Sequence, residues 1–157
     1  MNVLVTGGAG YIGSHVVEEL VQKGYTPFVY DNFSTGHVNA VPETVQLIEG
    51  DIHDFSFLKH IMGQYEIDGV LHFAASSQVG ESMVNPGKYY YNNVAGTLGL
   101  LDAMREAAEL LLGEHDFKAF TSAKKSKKST IRRIDEIRIE QIEDRIEFVF
   151  TGNGFLH

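Results

Sequence analysis

Cysteine and tryptophan are both absent, and proline occurs only three times in 157 residues. Without cysteine there is neither a disulfide nor a thiolate metal site, so packing alone must hold the fold together. No apolar run approaches the roughly 20 residues that a membrane span requires, which argues against a membrane partner. The opening Met1-Asn2-Val3-Leu4-Val5 lacks the basic flank of a secretory leader and runs straight into a glycine-rich motif, so a cytoplasmic protein is expected. Metal ligation has little to work with: His15, His53, His60, His72 and His115 are scattered, with no cysteine and no His-x-x-x-His spacing. Positive charge is scarce in one part only. Through Ala107 there are 4 Lys/Arg against 12 Asp/Glu, and from residue 108 onward 9 against 9, so the whole net charge of −8 lies in the first part.

What is present is hydrophobic patterning of two alternating kinds. Asn2 to Thr6 is a short apolar run, and from Ile12 the apolar Val16, Val17, Leu20 and Val21 recur at helical spacing. Phe28 to Tyr30 makes a second strand ending at Asp31, Val45 to Ile48 a third, and Gly69 to Phe73 a fourth, with a helix through Phe55, Leu58, Ile61 and Met62 between the last two. Alternation at this pitch specifies an α/β fold with a parallel sheet, here a half-Rossmann sheet in the order 3-2-1-4 with helices on both faces. A long helix is expected from about Tyr89 through Leu112, closed by Gly113.

Beyond it the basic, Ser-rich stretch 121–130 leads to Ile131 to Ile142 and Ile146 to Phe150, separated by Glu143-Asp144. Ile137 and Ile139, and Ile146, Phe148 and Phe150, alternate as strands do; Ile131, Ile134, Ile137, Ile142 and Ile146 also approximate helical spacing. Isoleucine content and the aromatic end favour a C-terminal antiparallel β-hairpin. The chain is thus read as 1–107, a Rossmann half, and 108–157, a helix and hairpin, fused into one globular domain. The fourth strand leaves an edge that the hairpin or a second copy of the chain should cover, so a homo-oligomer or strand exchange is an expected partner arrangement.

The chemistry lies in Thr6-Gly7-Gly8-Ala9-Gly10-Tyr11-Ile12-Gly13, which follows a strand and opens a helix, with Gly7, Gly10 and Gly13 at three-residue intervals. Gly7 permits the tight turn, Gly10 lets backbone approach a pyrophosphate, and Gly13 lets the helix pack closely. The helix N-terminus offers free N–H groups to phosphates. Asp31, 18 residues past Gly13 at the end of the second strand, is placed to accept both hydroxyls of an adenosine ribose and to repel a 2′-phosphate, favouring NAD over NADP.

Further segments follow in order: Tyr30-Asp31-Asn32, Glu49-Gly50-Asp51-Ile52, His72-Phe73-Ala74-Ala75, Val79-Gly80-Glu81-Ser82 and Tyr90-Tyr91-Asn92-Asn93-Val94. Together with the glycine motif they resemble the UDP-glucose 4-epimerases of the extended short-chain dehydrogenase/reductase family. The resemblance implies that Tyr11 and Ile12 flank the pyrophosphate, Asp31 and Asn32 hold the ribose, Asp51 and Ile52 meet the adenine, and Phe73, Ala74 and Asn92 line the rest of the NAD path. Ile12, Ile52 and Phe73 are equally suited to the core. Ser77 stands where that family often carries a lysine. The family's Tyr-x-x-x-Lys pair, in which lysine lowers the tyrosine pKa, has no match: the seven tyrosines are followed four residues on by His15, Val29, Ser34, Gly69, Asn93, Val94 and Ala95.

Residues 108–156 carry a second likeness. Leu110-Leu111-Leu112-Gly113-Glu114-His115-Asp116-Phe117, Lys127-Lys128-Ser129-Thr130-Ile131-Arg132 and Phe150-Thr151-Gly152-Asn153-Gly154-Phe155-Leu156 are similar to a segment of bacterial tRNA pseudouridine synthases of the anticodon-stem family, which implies a helix and antiparallel strands. That family's catalytic Arg-Thr-Asp motif has no counterpart. The two likenesses meet at Ala107, so the sequence leads to the expectation of a recombined or engineered chimera with a residual, weak NAD site and no catalysis. The alternatives are an NAD-dependent nucleotide-sugar epimerase and an RNA-binding module using Lys124 to Lys128, Arg132 and Arg133. Nucleic acid is the less expected partner, since that basic run has no interleaved aromatics.

Overall fold

Val3, Leu4 and Val5 have no polar residue among them, and all three are buried, because the strand they form is covered on both faces. That strand, β1 (Asn2–Thr6), lies inside a four-stranded parallel sheet with β2 (Thr26–Asp31), β3 (Gln46–Glu49) and β4 (Gly69–His72), in the order β3-β2-β1-β4. Leu4 pairs with Phe28 on one side and Val70 on the other. This is the strand order read from the sequence. The computed structural model describes residues 1–109, 111–116, 129–142 and 145–154, and the chain divides into two compact units, Met1–Met104 and Arg105–His157.

In the first unit, Val3, Val5 and Val29 point to one face of the sheet, where they form a core with Ala9, Val17 and Val41, flanked by Leu20, Phe33, Val45, Leu47 and Phe73. Helix α1 (Tyr11–Gln22) supplies Val17 to it. The alternate residues of β2 face the other way: the Phe28 ring meets Tyr65 at 4.8 Å and the Tyr30 ring meets Phe57 at 6.1 Å, beside helix α2 (Phe55–Gln64), which buries Leu58, Ile61 and Met62. Asp54 caps α2 by accepting from the Phe57 amide at 3.0 Å. The helix closes when the Ile67 amide returns to the Met62 carbonyl at 3.0 Å.

The single long helix expected from Tyr89 to Leu112 is corrected. Helix α4 (Pro86–Tyr90), a π-turn (Tyr91–Ala95) and α5 (Gly96–Glu109) follow one another with αR backbone at the joins, so the path is helical but carries a π-turn at Asn92-Asn93. A shorter helix, α3 (Val79–Val84), precedes them, too brief for a sequence period to show. Asn85, the residue before Pro86, sits at φ −131°, ψ 66°, which separates α3 from α4 as a pre-proline residue does. Glu81 of α3 ties the two helices, accepting from Lys88 Nζ at 2.6 Å and from the Tyr89 hydroxyl at 2.8 Å.

The second unit holds a separate antiparallel sheet, β5-β6-β7: β5 (Gly113–Asp116), β6 (Ile131–Ile142) and β7 (Arg145–Gly152). The hairpin is present with Ile137 opposite Phe150 and Ile139 opposite Phe148, but a third strand joins it. β5 is polar and exposed throughout, so no alternation announces it. Its partner β6 carries a bulge between Ile134 and Glu136, where the Arg133 amide and carbonyl bond to the Asn153 side chain and amide. The basic run Lys124 to Lys128 and the turn at Glu143-Asp144 lie outside the described residues. No helix among the described residues is long and apolar enough to cross a membrane.

Replacing the α2 cap, Asp54→Ala, is expected to lower the unfolding free energy by about 1 kcal/mol without changing the fold, as read from urea denaturation with circular dichroism.

Candidate functional site

The parallel strands β1, β2 and β4 all end at one rim, and the sequence-identified residues gather there. At the end of β1 the chain turns through Gly7 at φ +71°, a conformation that side chains disfavour, and its amide donates to the Tyr30 carbonyl at 2.8 Å. A Cβ on Gly7 would also lie 2.5 Å from the Phe73 carbonyl carbon, so only glycine lets the turn pass under the chain leaving β4. Gly13 meets a similar limit: a Cβ there would collide with the Gly7 carbonyl oxygen. The sequence role given to Gly13 is therefore sharpened, since the backbone it approaches is that of the turn itself.

Gly10 is the N-cap of α1 and offers no side chain to it, and no acidic residue occupies the first turn. The first N–H groups of a helix have no intrahelical acceptor, so this end is electropositive, with no acidic residue of its own first turn to offset it. Tyr11 and Ile12 stand over it, 85% and 63% exposed, and Ile12 belongs to no core.

Asp31 ends β2 and is buried, 7% exposed. One carboxylate oxygen accepts from the Ala9 amide at 2.9 Å and the other from the Phe33 amide at 2.8 Å. An ionised carboxylate offers about four acceptor positions, so both oxygens keep capacity for a further donor. Next to it Asn32 donates to Asp51 at 2.8 Å, and the other Asp51 oxygen accepts from the His53 amide at 2.9 Å and its Nδ1 at 2.7 Å. The His53 amide, with Asn32 and the His53 ring assisting, holds the Asp51 carboxyl below the usual carboxylate range. His53 in turn stacks on Tyr91, ring centroids 4.2 Å apart and 3° from parallel. Ile52 faces inward, 4% exposed, and takes the core role open to it. Tyr30 spans beneath, its hydroxyl donating to the Asp51 carbonyl at 2.8 Å; burial pushes its pKa well up, so it stays a donor.

The segment after β4 runs directly against the glycine turn. Asn92 donates to the Ala74 carbonyl at 2.9 Å, and Asn93 grips Ser76 at both ends, accepting from its amide at 2.8 Å and donating to its carbonyl at 2.9 Å. Sequence reasoning singled out Asn92 and missed Asn93, although the paired asparagines were its signal. It also set aside His72, whose ring lies between Thr6 Oγ1 at 2.7 Å and Thr97 Oγ1 at 3.2 Å. Burial pushes the His72 pKa below its ordinary value.

Two outcomes follow from this geometry. Gly13→Ala is expected to lower stability by at least about 2 kcal/mol, because the colliding neighbour is backbone and cannot rotate away; urea denaturation measures it. His72 binds its proton more weakly folded than unfolded, so its contribution is fully present above about pH 6.5 and is lost as pH falls from there through the lower folded value. The denaturation midpoint should therefore fall as pH is lowered from about 6.5, and the His72→Gln variant should lack that component.

Known proteins share these features. The family model described as GDP-mannose 4,6 dehydratase matches residues 4–125, and that of tRNA pseudouridine synthase matches residues 107–157. UDP-glucose 4-epimerase of Streptomyces lividans is 53% identical over 105 residues, 66% of this chain and 32% of that protein, and that of Lacticaseibacillus casei is 48% identical over 106 residues, 68% and 32%. Among solved structures, UDP-glucose 4-epimerase from Brucella ovis in complex with NAD aligns with a TM-score of 0.66 at 54% identity, covering 68% of this chain and 33% of that one. The Thermus thermophilus epimerase in complex with NAD gives a TM-score of 0.66 at 38% identity, covering 69% and 35%. The chain thus spans about a third of the length of these relatives. The expectation of a recombined chimera without catalysis is corrected by these matches. The first family match runs on to residue 125, across Ala107 where a junction was expected, and proteins about 50% identical are epimerases, which favours the epimerase alternative. Matched over most of its length, the chain belongs to the GDP-mannose 4,6 dehydratase family.

Proposed function

We propose that this chain is the cofactor-holding portion of an NAD-dependent nucleotide-sugar epimerase. The observation that carries the reading is the N-terminus of α1, without a side-chain cap and without an acidic residue in its first turn, beside the buried Asp31. A pyrophosphate there meets free N–H groups and the positive end of the helix, and a Cβ at Gly7 would close the turn that aims them. Bound NAD would supply the hydride acceptor.

The chain's own residues hold and orient. The amides at Tyr11, Ile12 and Gly13 receive the diphosphate charge. Asp31 accepts the ribose hydroxyls on its remaining lone pairs, while Ala9 and Phe33 keep its carboxylate fixed. The same charge disfavours a 2′-phosphate at that position. Asn32 and Asp51, joined by their own hydrogen bond, form the adenine end with Ile52 behind them. Phe73, Ala74 and Asn92 continue the path, with Asn92 anchored to the Ala74 carbonyl.

Calorimetric titration of the full chain tests the reading. NAD and ADP-ribose are expected to bind with similar affinity, and NADP at least about tenfold more weakly. Asp31→Asn should weaken NAD and narrow the gap to NADP. Absence of heat and of amide shifts at Gly7 to Gly13 with millimolar NAD would falsify the proposal.

A further inference from the structure

The glycine turn and the Asn92-Asn93 segment are joined through one continuous run of hydrogen bonds, and counting its protons fixes the state of the histidine in the middle. Thr97 Oγ1 donates to the Asn93 carbonyl at 2.7 Å. A hydroxyl has one proton, so toward His72 Nε2, 3.2 Å away, Thr97 can only accept. Nε2 therefore carries a hydrogen. With the ring neutral, Nδ1 is the bare nitrogen, and it accepts from Thr6 Oγ1 at 2.7 Å. Every member of the run is satisfied in this arrangement. The other tautomer would leave Nε2 bare toward Thr97, whose single proton is already given to Asn93.

The run joins the glycine turn after β1 to the helical segment at Asn92-Asn93. Thr6 is fully buried and immediately precedes Gly7, and its carbonyl accepts from the Phe73 amide at 2.7 Å. At the other end Asn93 holds Ser76 by both backbone groups and Asn92 holds Ala74. His72 sits at the end of β4, between them.

We propose that His72 is a positioning residue of the candidate site, locked as the Nε2–H tautomer so that the glycine turn and the Asn92-Asn93 segment that holds residues 74–76 keep one spacing. The proposal rests on the cofactor reading above for its effect on binding, and on the hydrogen-bond run alone for its effect on the protein.

Long-range proton–nitrogen correlation spectra of the full chain, labelled with nitrogen-15 in histidine, read the tautomer directly. At neutral pH the expected signature is Nε2–H with bare Nδ1; an Nδ1–H ring or an imidazolium overturns the proposal. Thr97→Val keeps the shape and removes the hydroxyl. It is expected to abolish that signature, to shift the Gly7 and Gly8 amides at the far end of the run, and to weaken NAD about tenfold. Thr97→Ser should rescue all three. Shifts confined to α5 in Thr97→Val, or a folded Thr97→Ser protein without the rescued signature, overturn it as well. If the wild-type chain binds no NAD, the cofactor reading fails by itself, and the tautomer and amide shifts still decide the coupling.

Discussion

A buried negative charge has to be met by donors, and the way the Asp31 carboxylate is met organises the whole rim of the first unit. Its two oxygens are held by backbone amides from opposite directions, Ala9 in the turn after β1 and Phe33 in the loop after β2. Ala9 is bound on its other side too, its carbonyl accepting from the His37 amide at 3.0 Å. The loop after β2 is thereby folded back on the turn. Phe33 accepts a φ of +54° in that loop, a local cost that its bond to Asp31 and its packing on the valine core offset. The turn residue that approaches the phosphate position and the carboxylate at the ribose position are thus parts of one hydrogen-bonded object.

Much of this was legible in the sequence because it depends on local rules. A β-branched run, a glycine triplet and an amphipathic helix declare themselves within a dozen residues, and Asp31 follows at a fixed chain distance. The parallel order 3-2-1-4 then follows from right-handed crossovers. What stayed hidden depends on partners far away in the chain. His72 means little until Thr6 and Thr97 are seen on either side of it, 66 and 25 residues away. Strand β5 has no apolar residue to alternate; it is a strand because β6 offers it a ladder. Ile12, apolar and placed among glycines, read as shared with the core and stands in solvent, since the turn holds it off the sheet.

The two ends of the chain illustrate different sources of structural information. In the first unit the valine core, the glycine contacts and the polar rim agree with one another, which is the mark of a sequence consistent across levels. In the second, the hairpin is specified by strict alternation at Ile137, Ile139, Phe148 and Phe150 and by the bulge that Asn153 fastens to Arg133. Each unit carries its own reason for folding, and the family match that spans residues 4–125 continues past the end of the first.

The π-turn at Tyr91–Ala95 is also a device for indexing the helix that follows it. A π-turn holds one residue more than an α-turn, so winding these same residues as a regular α-helix would rotate every later side chain by about 100°. Gly96 and Gly99 now face Ile52 and Phe55, which leave no room for a Cβ at Gly99. Regular winding would put Ala95 and Leu98 toward those side chains instead. The extra residue therefore keys the rotational phase of α5, and it is the π winding of this segment that keeps glycine, the one residue without a Cβ, against Phe55.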